Sequence, residues 1–272
     1  MTAETTTDTT TVDPVRARLP HEVVVRSPLR RALAAEWMKL ASTRSLCWTL
    51  AVLTLVTPVM AVFVGLTGSL QPDDTVLGGS LTAAPMAQII AGALGALVMT
   101  SEYTTRTARL TFAAVPRRGI VLSAKAILVA GLTFVAGTVS SGAAYLLGSA
   151  TIDAGHATGE LFPAVVGIGA SFAAVAVLGL AVGSLLRHSA GAIAAIAAGA
   201  FVPTLIAPVF GGLQRWLAGA SPTSALEKMT QTSDAAPDVV GSLGAWPSLA
   251  LVAGYAAAAL AAAVHRITRW DV

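Results

Sequence analysis

The sequence predicts an all-α, polytopic membrane protein with six transmembrane helices, an N-terminal amphipathic interface helix and a short cytoplasmic helix between transmembrane helices 2 and 3. Only 11% of the 272 residues are charged and the mean hydropathy is +0.74, whereas soluble domains carry about 25% charged residues. Six stretches, each longer than the roughly 20 residues that a spanning helix needs, contain no charged side chain. The lysines and arginines between them fall almost entirely on alternate sides. These three observations together indicate that lipid, rather than water, surrounds most of the protein.

The predicted spans lie at about 46–68, 80–100, 124–150, 163–186, 189–212 and 246–265. Gly179 and Gly183 form a G-x-x-x-G pair in the fourth span, which favours close helix packing. That packing is either within one bundle or at a seam between two copies.

The basic residues predict the orientation of the chain. If the N-terminus is cytoplasmic, every lysine and arginine lies in an inner segment except Arg215 and Lys228, as the positive-inside rule requires. The net charge of +3 therefore faces the anionic inner leaflet rather than nucleic acid. Abundant alanine and arginine with few lysines indicate a GC-rich bacterial genome. The predicted location is the bacterial cytoplasmic membrane, with both termini in the cytoplasm.

Residues 1–27 are threonine-rich and lack hydrophobic periodicity, which predicts a disordered cytoplasmic tail. The long polar stretch before the first apolar segment does not fit a cleavable signal peptide. Residues 28–270 are predicted to form one transmembrane domain. Cys47 is the only cysteine, so no intrachain disulfide can form.

The segment 28–44 predicts an amphipathic helix in the inner membrane interface. Its apolar side chains, including Leu29, Trp37 and Leu40, share one arc of a helix; a solvated juxtamembrane helix is the alternative. Glu36 falls inside this arc and therefore needs a partner. That partner is either Lys39, one helical turn further on, or a group in the cytoplasmic loop or in another subunit.

The inner loop after the second span predicts a short helix with two different faces, capped by Ser101. The charged face carries Glu102, Arg106 and Arg109. The adjoining face carries Tyr103, Thr107 and Leu110. The predicted inner-face anchors of the third span, which snorkel to the surface, are Arg117, Arg118 and Lys125. A generic positive loop explains the charge, but the two faces favour a docking role.

The outer segment 214–246 is long enough for a small helix with Ser221 or Thr223 as its N-cap. Trp216 and Trp246 flank it as interfacial anchors. The segment either dips into the outer leaflet or forms a plain surface loop.

The six charge-free stretches contain no aspartate, glutamate, lysine or arginine, and the four histidines lie in the tail or at span ends, so the groups that intramembrane catalysis requires are missing from them. All three lysines precede an apolar residue, so no G-x-x-x-x-G-K-[ST] phosphate-binding loop exists. We therefore expect no catalytic residues, no bound cofactor and no metal, and ion-coupled antiport is disfavoured because buried carboxylates usually carry the coupling charge.

These features together resemble the ABC-2 type permeases, the transmembrane subunits of bacterial ATP-binding cassette exporters. The resemblance rests on E-x-x-K from Glu36 to Lys39, on six spans with both ends inside, and on the loop after the second span. That loop carries E-Y-x-x-x-T-x-R from Glu102 to Arg109, then V-P-R-R-G and Lys125. The resemblance covers roughly residues 28–270.

The resemblance implies a homodimer or heterodimer of permeases, each recruiting a separate ATPase subunit that binds ATP and Mg. Residues 102–115 would be the coupling helix that docks on the ATPase, 28–44 the connecting helix, and 214–246 a partly re-entrant outer region. Relatives often have glycine where this chain has Arg106, which leaves the docking geometry open.

The predicted function is the permease subunit of an ATP-driven exporter, and the chain itself is predicted not to be an enzyme. The small outer region favours a small hydrophobic cargo, such as a drug or antibiotic. Two other classes remain open: a secondary transporter or channel that works without ATP, and a non-transporting membrane scaffold subunit.

Overall fold

The computed structural model describes residues 28–70, 74–105, 118–153, 155–231 and 236–269. Within these ranges the regular structure is entirely helical and no β-strand occurs. The predicted tail at 1–27 lies outside the described residues. The helices, in chain order, are α1 (Pro28–Ser42), α2 (Arg44–Thr67), α3 (Val76–Ser80), α4 (Ala84–Thr104), α5 (Arg118–Thr151), α6 (Leu161–Leu186), α7 (Ser189–Ile206), a 3-10 helix (Ala207–Leu213), α8 (Gln214–Gly219), α9 (Pro222–Thr230), α10 (Pro237–Val240) and α11 (Ala245–Arg269).

Six segments in the described part of the chain are long and apolar enough to cross a membrane. They are α2, α4, α5, α6, the stretch Ser189–Gly219 that begins with α7, and α11. The six predicted spans are confirmed in number and order. The fold is thus that of a helical, multi-pass membrane protein.

The helix predicted at 28–44 corresponds to α1, which ends at Ser42, and the first span begins as α2 at Arg44. Thr43 has extended backbone, with φ −91° and ψ 101°, and it separates α1 from α2. Because an extended residue breaks the helical path, α1 is free to leave the axis of the first span and pack against α5. A helix is therefore present where the sequence predicts one, whereas its position in the membrane interface stays a prediction.

Helix α6 is the centre of the bundle and packs against α4, α5 and α11. Small residues allow its backbone to approach α4 closely. A Cβ added at Gly179 would collide with the backbone carbonyl of Gly92, and one at Gly183 would lie 2.9 Å from the carbonyl oxygen of Ala96. The G-x-x-x-G pair therefore closes an interface inside the chain.

The chain reverses direction after α7. Gly211 adopts φ 48° and ψ −113°, a conformation that is accessible mainly to glycine. The next helix, α8, folds back so that Ala218 packs beside Ala207 and Val240. α9 then runs outward again, beginning at its N-cap Ser221, whose hydroxyl accepts a hydrogen bond from the amide of Ser224. We call α8, the turn and α9 the re-entrant hairpin.

The tip of the re-entrant hairpin lies deep between the long helices. The Thr223 hydroxyl donates to the carbonyl of Ala200 in α7 (2.9 Å), and the Gln88 amide donates to Ser171 (2.7 Å) and to the carbonyl of Pro222 (3.0 Å). Ser171 is ten residues into α6, about 15 Å along its axis, which is roughly half the thickness of a hydrocarbon layer. A plain surface loop at 214–246 is therefore excluded.

The other end of α9 returns to the ends of the long helices that the charge pattern predicts to be outer. Gln231 exchanges two hydrogen bonds with the backbone of Glu160, the N-cap of α6 (2.9 and 3.1 Å). Between the two ends, the Met229 side chain packs against Gly167, and Leu226 is fully buried. Of the two predicted N-caps, Ser221 is the one observed, and Thr223 instead bonds to α7.

Candidate functional site

Four charged side chains meet where α1, α4 and α5 come together, at the inner end of the bundle predicted from charge. Glu36 and Lys39 come from α1, Glu102 from the last turn of α4, and Lys125 from the second turn of α5. We call them the ion-pair cluster. Two carboxylates and two ammonium groups give it a net charge of zero.

Each ammonium group in the ion-pair cluster contacts both carboxylates. Lys39 Nζ lies 3.0 Å from Glu36 Oε1 and 3.1 Å from Glu102 Oε1. Lys125 Nζ lies 2.8 Å from Glu102 Oε1 and also pairs with Glu36 Oε2. The four side chains thus form a closed ring that links α1 to α4 and α5.

Three members of the cluster are buried and one reaches the surface. Glu36 and Lys125 are each 2% exposed, whereas the Lys39 side chain is 44% exposed. Partial burial alone would lower the pKa of Lys39, but its hydrogen bonds and attraction to Glu36 and Glu102 outweigh this and raise the pKa above its ordinary value. Lys39 therefore stays cationic at neutral pH.

Helical geometry explains how the cluster forms. Glu36 lies on the apolar arc of α1, so packing of that arc buries it, and Lys39 follows one turn later on the border of the arc. Two of the partners offered by the sequence for Glu36 are present, because Lys39 bonds to it directly and Lys125, at the end of the cytoplasmic loop segment, pairs with it as well. The predicted pairing of Glu36 with Lys39 is confirmed.

Two expectations about the same region are wrong. Lys125 does not snorkel to the inner surface, because its ammonium group is buried between two carboxylates. Ser101 does not cap a new helix, because α4 continues through it to Thr104, and its hydroxyl bonds to the carbonyl of Val98 within that helix. Glu102 is therefore the inner end of the second span rather than the start of a separate loop helix.

Tyr103 lies beside the ion-pair cluster but contacts a different helix end. The guanidinium of Arg187 stacks over its ring, 5.4 Å from the centroid, a cation–π contact. Arg187 ends α6 in a left-handed conformation, φ 55°, and the nearby Arg266 donates to the carbonyl of Leu185 (2.9 Å). Sequence reasoning missed Arg187 as a partner of Tyr103, since no periodicity connects the ends of different helices.

The remaining predicted site residues are placed as follows. Trp37 is half-exposed on α1 and lines two cavities beside α5. Arg118 begins α5, but its side chain lies outside the described part of the structure. The predicted docking and anchor residues that fall wholly outside it are Arg106, Thr107, Arg109, Leu110 and Arg117.

The described residues contain no group of three or more histidine, cysteine or acidic side chains positioned to hold a metal ion. No family model matches the chain, and the comparison with curated proteins found no match. The fold and the site define the class of protein: a helical, multi-pass membrane protein with a buried ion-pair cluster at one end of its bundle.

Proposed function

We propose that this chain is the permease subunit of an ATP-driven exporter of the ABC-2 type, working with a separate ATPase subunit. The observation that carries the proposal is the ion-pair cluster. Glu102 precedes and Lys125 follows the loop that the sequence singles out for docking, and the two are joined to each other and to α1. A partner that moves this loop would therefore move three helices together.

The ion-pair cluster suits force transmission better than ion transport. Its charges are mutually neutralised and hydrogen-bonded. Glu102 and Lys125 lie near the ends of their spans, and Glu36 and Lys39 lie on α1, which is not one of the six spanning segments. Breaking a buried pair costs about 3–5 kcal/mol, so displacement of the loop is transmitted rather than absorbed by local opening.

In the proposed mechanism, ATP binding draws two ATPase subunits together, and the segment around Glu102–Arg109 converts this closure into motion of the spans. Two permeases, identical or different, pair in the bacterial cytoplasmic membrane with their termini inside. The cargo, a small hydrophobic molecule such as a drug or antibiotic, leaves between them. ATP and Mg belong to the partner, so this chain acts as a non-enzymatic subunit.

The deep position of the re-entrant hairpin supports this assignment. The hairpin packs between α4, α6 and α7, as the resemblance to ABC-2 permeases implies for this region. Because it occupies the outer half of the bundle, its displacement would open the exit side.

The proposal is tested by charge reversal in the full chain expressed in its native host. Glu102→Lys combined with Arg109→Glu should abolish export and co-purification of the ATPase, while the protein still inserts in the membrane. Glu160→Lys, at the outer end of α6, is the matched control and should retain both. Unimpaired co-purification with the ATPase in the double variant contradicts the proposal.

A secondary transporter that works without ATP is the competing function, and buried carboxylates such as Glu36 and Glu102 are the observation that favours it. Vesicles containing only this chain distinguish the two. Substrate movement driven by an ion gradient alone supports the secondary transporter, and movement that requires the ATPase and ATP supports the exporter.

A further inference from the structure

Three adjoining cavities run from the ion-pair cluster to the outer surface of α5. The first, about 320 Å³, is lined by all four charged residues of the cluster. The second, about 250 Å³, shares Leu40, Leu46 and Val98 with the first. The third, about 520 Å³, shares Trp37, Leu50 and Leu132 with the second. Because neighbours share lining residues, the three cavities lie side by side in a row, which we call the groove.

The groove has a charged end and an apolar end. The middle cavity is lined by α1, α2, α4 and α5, and the third is bounded by α1, α2 and α5 with almost entirely apolar walls. At its far end Val135 and Val139 are more than half exposed, so it opens sideways where lipid would contact the bundle. The groove therefore fits a molecule with a polar head and an apolar chain.

The dimensions match one lipid chain. From Lys125 to Val139 the groove follows 14 residues of α5, about 21 Å. One leaflet of a bilayer contributes about 15 Å of hydrocarbon. An acyl chain of ordinary length therefore fits along α5 with its headgroup beside the ion-pair cluster.

The charged residues at the mouth of the groove, beside the ion-pair cluster, determine which lipid headgroup is favoured. Both carboxylates are buried and held by lysines, whereas Lys39 is the partly exposed member. The exposed cations Arg30, Arg31 and Arg44 do not line the first cavity, so Lys39 supplies its accessible charge. The accessible charge around the mouth is therefore positive, which favours a phosphate over an ammonium headgroup.

We infer that this groove is a specific binding site for an anionic phospholipid of the inner leaflet, with one acyl chain along α5 and its phosphate near Lys39. This inference goes beyond the proposed function and does not depend on ATP-driven transport. A lipid bound here differs from the other lipids around the protein, because an apolar middle cavity lined by four helices and a cationic mouth recognise chain and head together.

Two glycines of α5 provide a matched test. A Cβ added at Gly131, which lines the third cavity, or at Gly142, which does not line the groove, would meet no atom within 4 Å. Gly131→Phe therefore places a ring at the third cavity from a position with room for its Cβ, and Gly142→Phe adds the same bulk elsewhere. Native mass spectrometry of the full chain, titrated with phosphatidylglycerol or phosphatidylcholine of the same chains, measures the retained lipid.

The wild-type chain should retain phosphatidylglycerol more tightly than phosphatidylcholine. Gly131→Phe should weaken this by about tenfold, since loss of two buried methylene contacts changes an equilibrium by that order, while Gly142→Phe should not. Lys39→Gln should reduce the preference for phosphatidylglycerol, and Arg30→Gln, which removes a charge from the same helix outside the groove, should leave it. Equal retention of both lipids by the wild-type chain, or equal loss in both glycine variants, overturns the inference.

The wild-type chain offers a second readout that needs no variant. Cys47 lines the middle cavity and is the only cysteine in the sequence. Phosphatidylglycerol in mixed micelles should slow alkylation of Cys47 several-fold more than phosphatidylcholine does. Alkylation rates that are the same in both lipids count against a chain in the groove.

Discussion

The side-chain amide of Gln88 donates a hydrogen bond of 3.0 Å to the backbone carbonyl of Pro222, at the tip of the re-entrant hairpin. The same nitrogen lies 2.7 Å from the hydroxyl of Ser171, and all three residues are buried. Gln88 therefore connects α4, α6 and the first turn of α9 at one point.

Replacement of Gln88 by leucine should loosen the hairpin, because the carbonyl of Pro222 loses its side-chain donor in a site shielded from water. Such a loss costs about 1–3 kcal/mol. The expected result is faster labelling of a cysteine introduced at Ala220, in a Cys47→Ala background. Gln214→Leu, a change of the same kind at the start of α8, is the control and should label at the parental rate. Equal rates in both variants contradict the role of Gln88.

Loss of Lys125 should be far more damaging than loss of Lys39. Lys125→Met leaves two buried carboxylates with one ammonium group between them and should destabilise the protein by about 3–5 kcal/mol. Lys39→Met removes a partly exposed cation and should cost about 1 kcal/mol or less. Unfolding of the purified variants in detergent measures the difference. Equal effects of the two methionine variants would mean that burial of Lys125 has no energetic role.

The close approach of α4 and α6 predicts that Gly95 cannot be replaced. A Cβ at this position would collide with the backbone carbonyl of Ala176, so Gly95→Ala should destabilise the bundle by about 1–3 kcal/mol. Gly142→Ala is the control, since a Cβ there meets open space and alanine favours the helix by up to about 1 kcal/mol. Comparison of the thermal midpoints of the two variants tests this. A Gly95→Ala protein as stable as Gly142→Ala would contradict the packing.

The raised pKa of Lys39 predicts a loss of stability at alkaline pH. A lysine whose pKa is higher in the folded state than in the unfolded state stabilises the fold fully below its ordinary value of 10.5, and this contribution disappears as the pH rises through the folded-state pKa. The difference in midpoint between the wild type and Lys39→Met should therefore be constant near neutrality and shrink above about pH 10.5. A difference that is unchanged at high pH would show that Lys39 acts through packing alone.

The spans were predictable because a bilayer imposes a minimum apolar length on each helix, and that length can be counted directly in consecutive residues. The pairing of Glu36 with Lys39 was predictable for the same reason, since both lie on one helix. The partner of Lys125 was not, because Glu36 is 89 positions away and only the packing of α1 on α5 brings them together. In the sequence alone, a lysine beside a span is equally compatible with a surface anchor and with a buried cation.

The sequence left open whether the segment 214–246 enters the bundle or stays on its surface. The two helices of the re-entrant hairpin are short, so neither shows the length that distinguishes a buried span from a surface helix. Its position instead depends on single contacts with distant residues, such as the bond from Thr223 to Ala200. The reversal at Gly211 likewise depends on one dihedral angle, which the presence of glycine permits but does not require.

Helix α5 has 34 residues and is about 51 Å long, well beyond the roughly 30 Å of a hydrocarbon layer. Its first turns hold Lys125, and its last turns pack Gly148 against Ser80 and Thr151 against Gly65. Because α5 is one continuous helix with contacts near both ends, a tilt at one end also moves the other end. The length of α5 therefore couples movements at the two faces of the membrane.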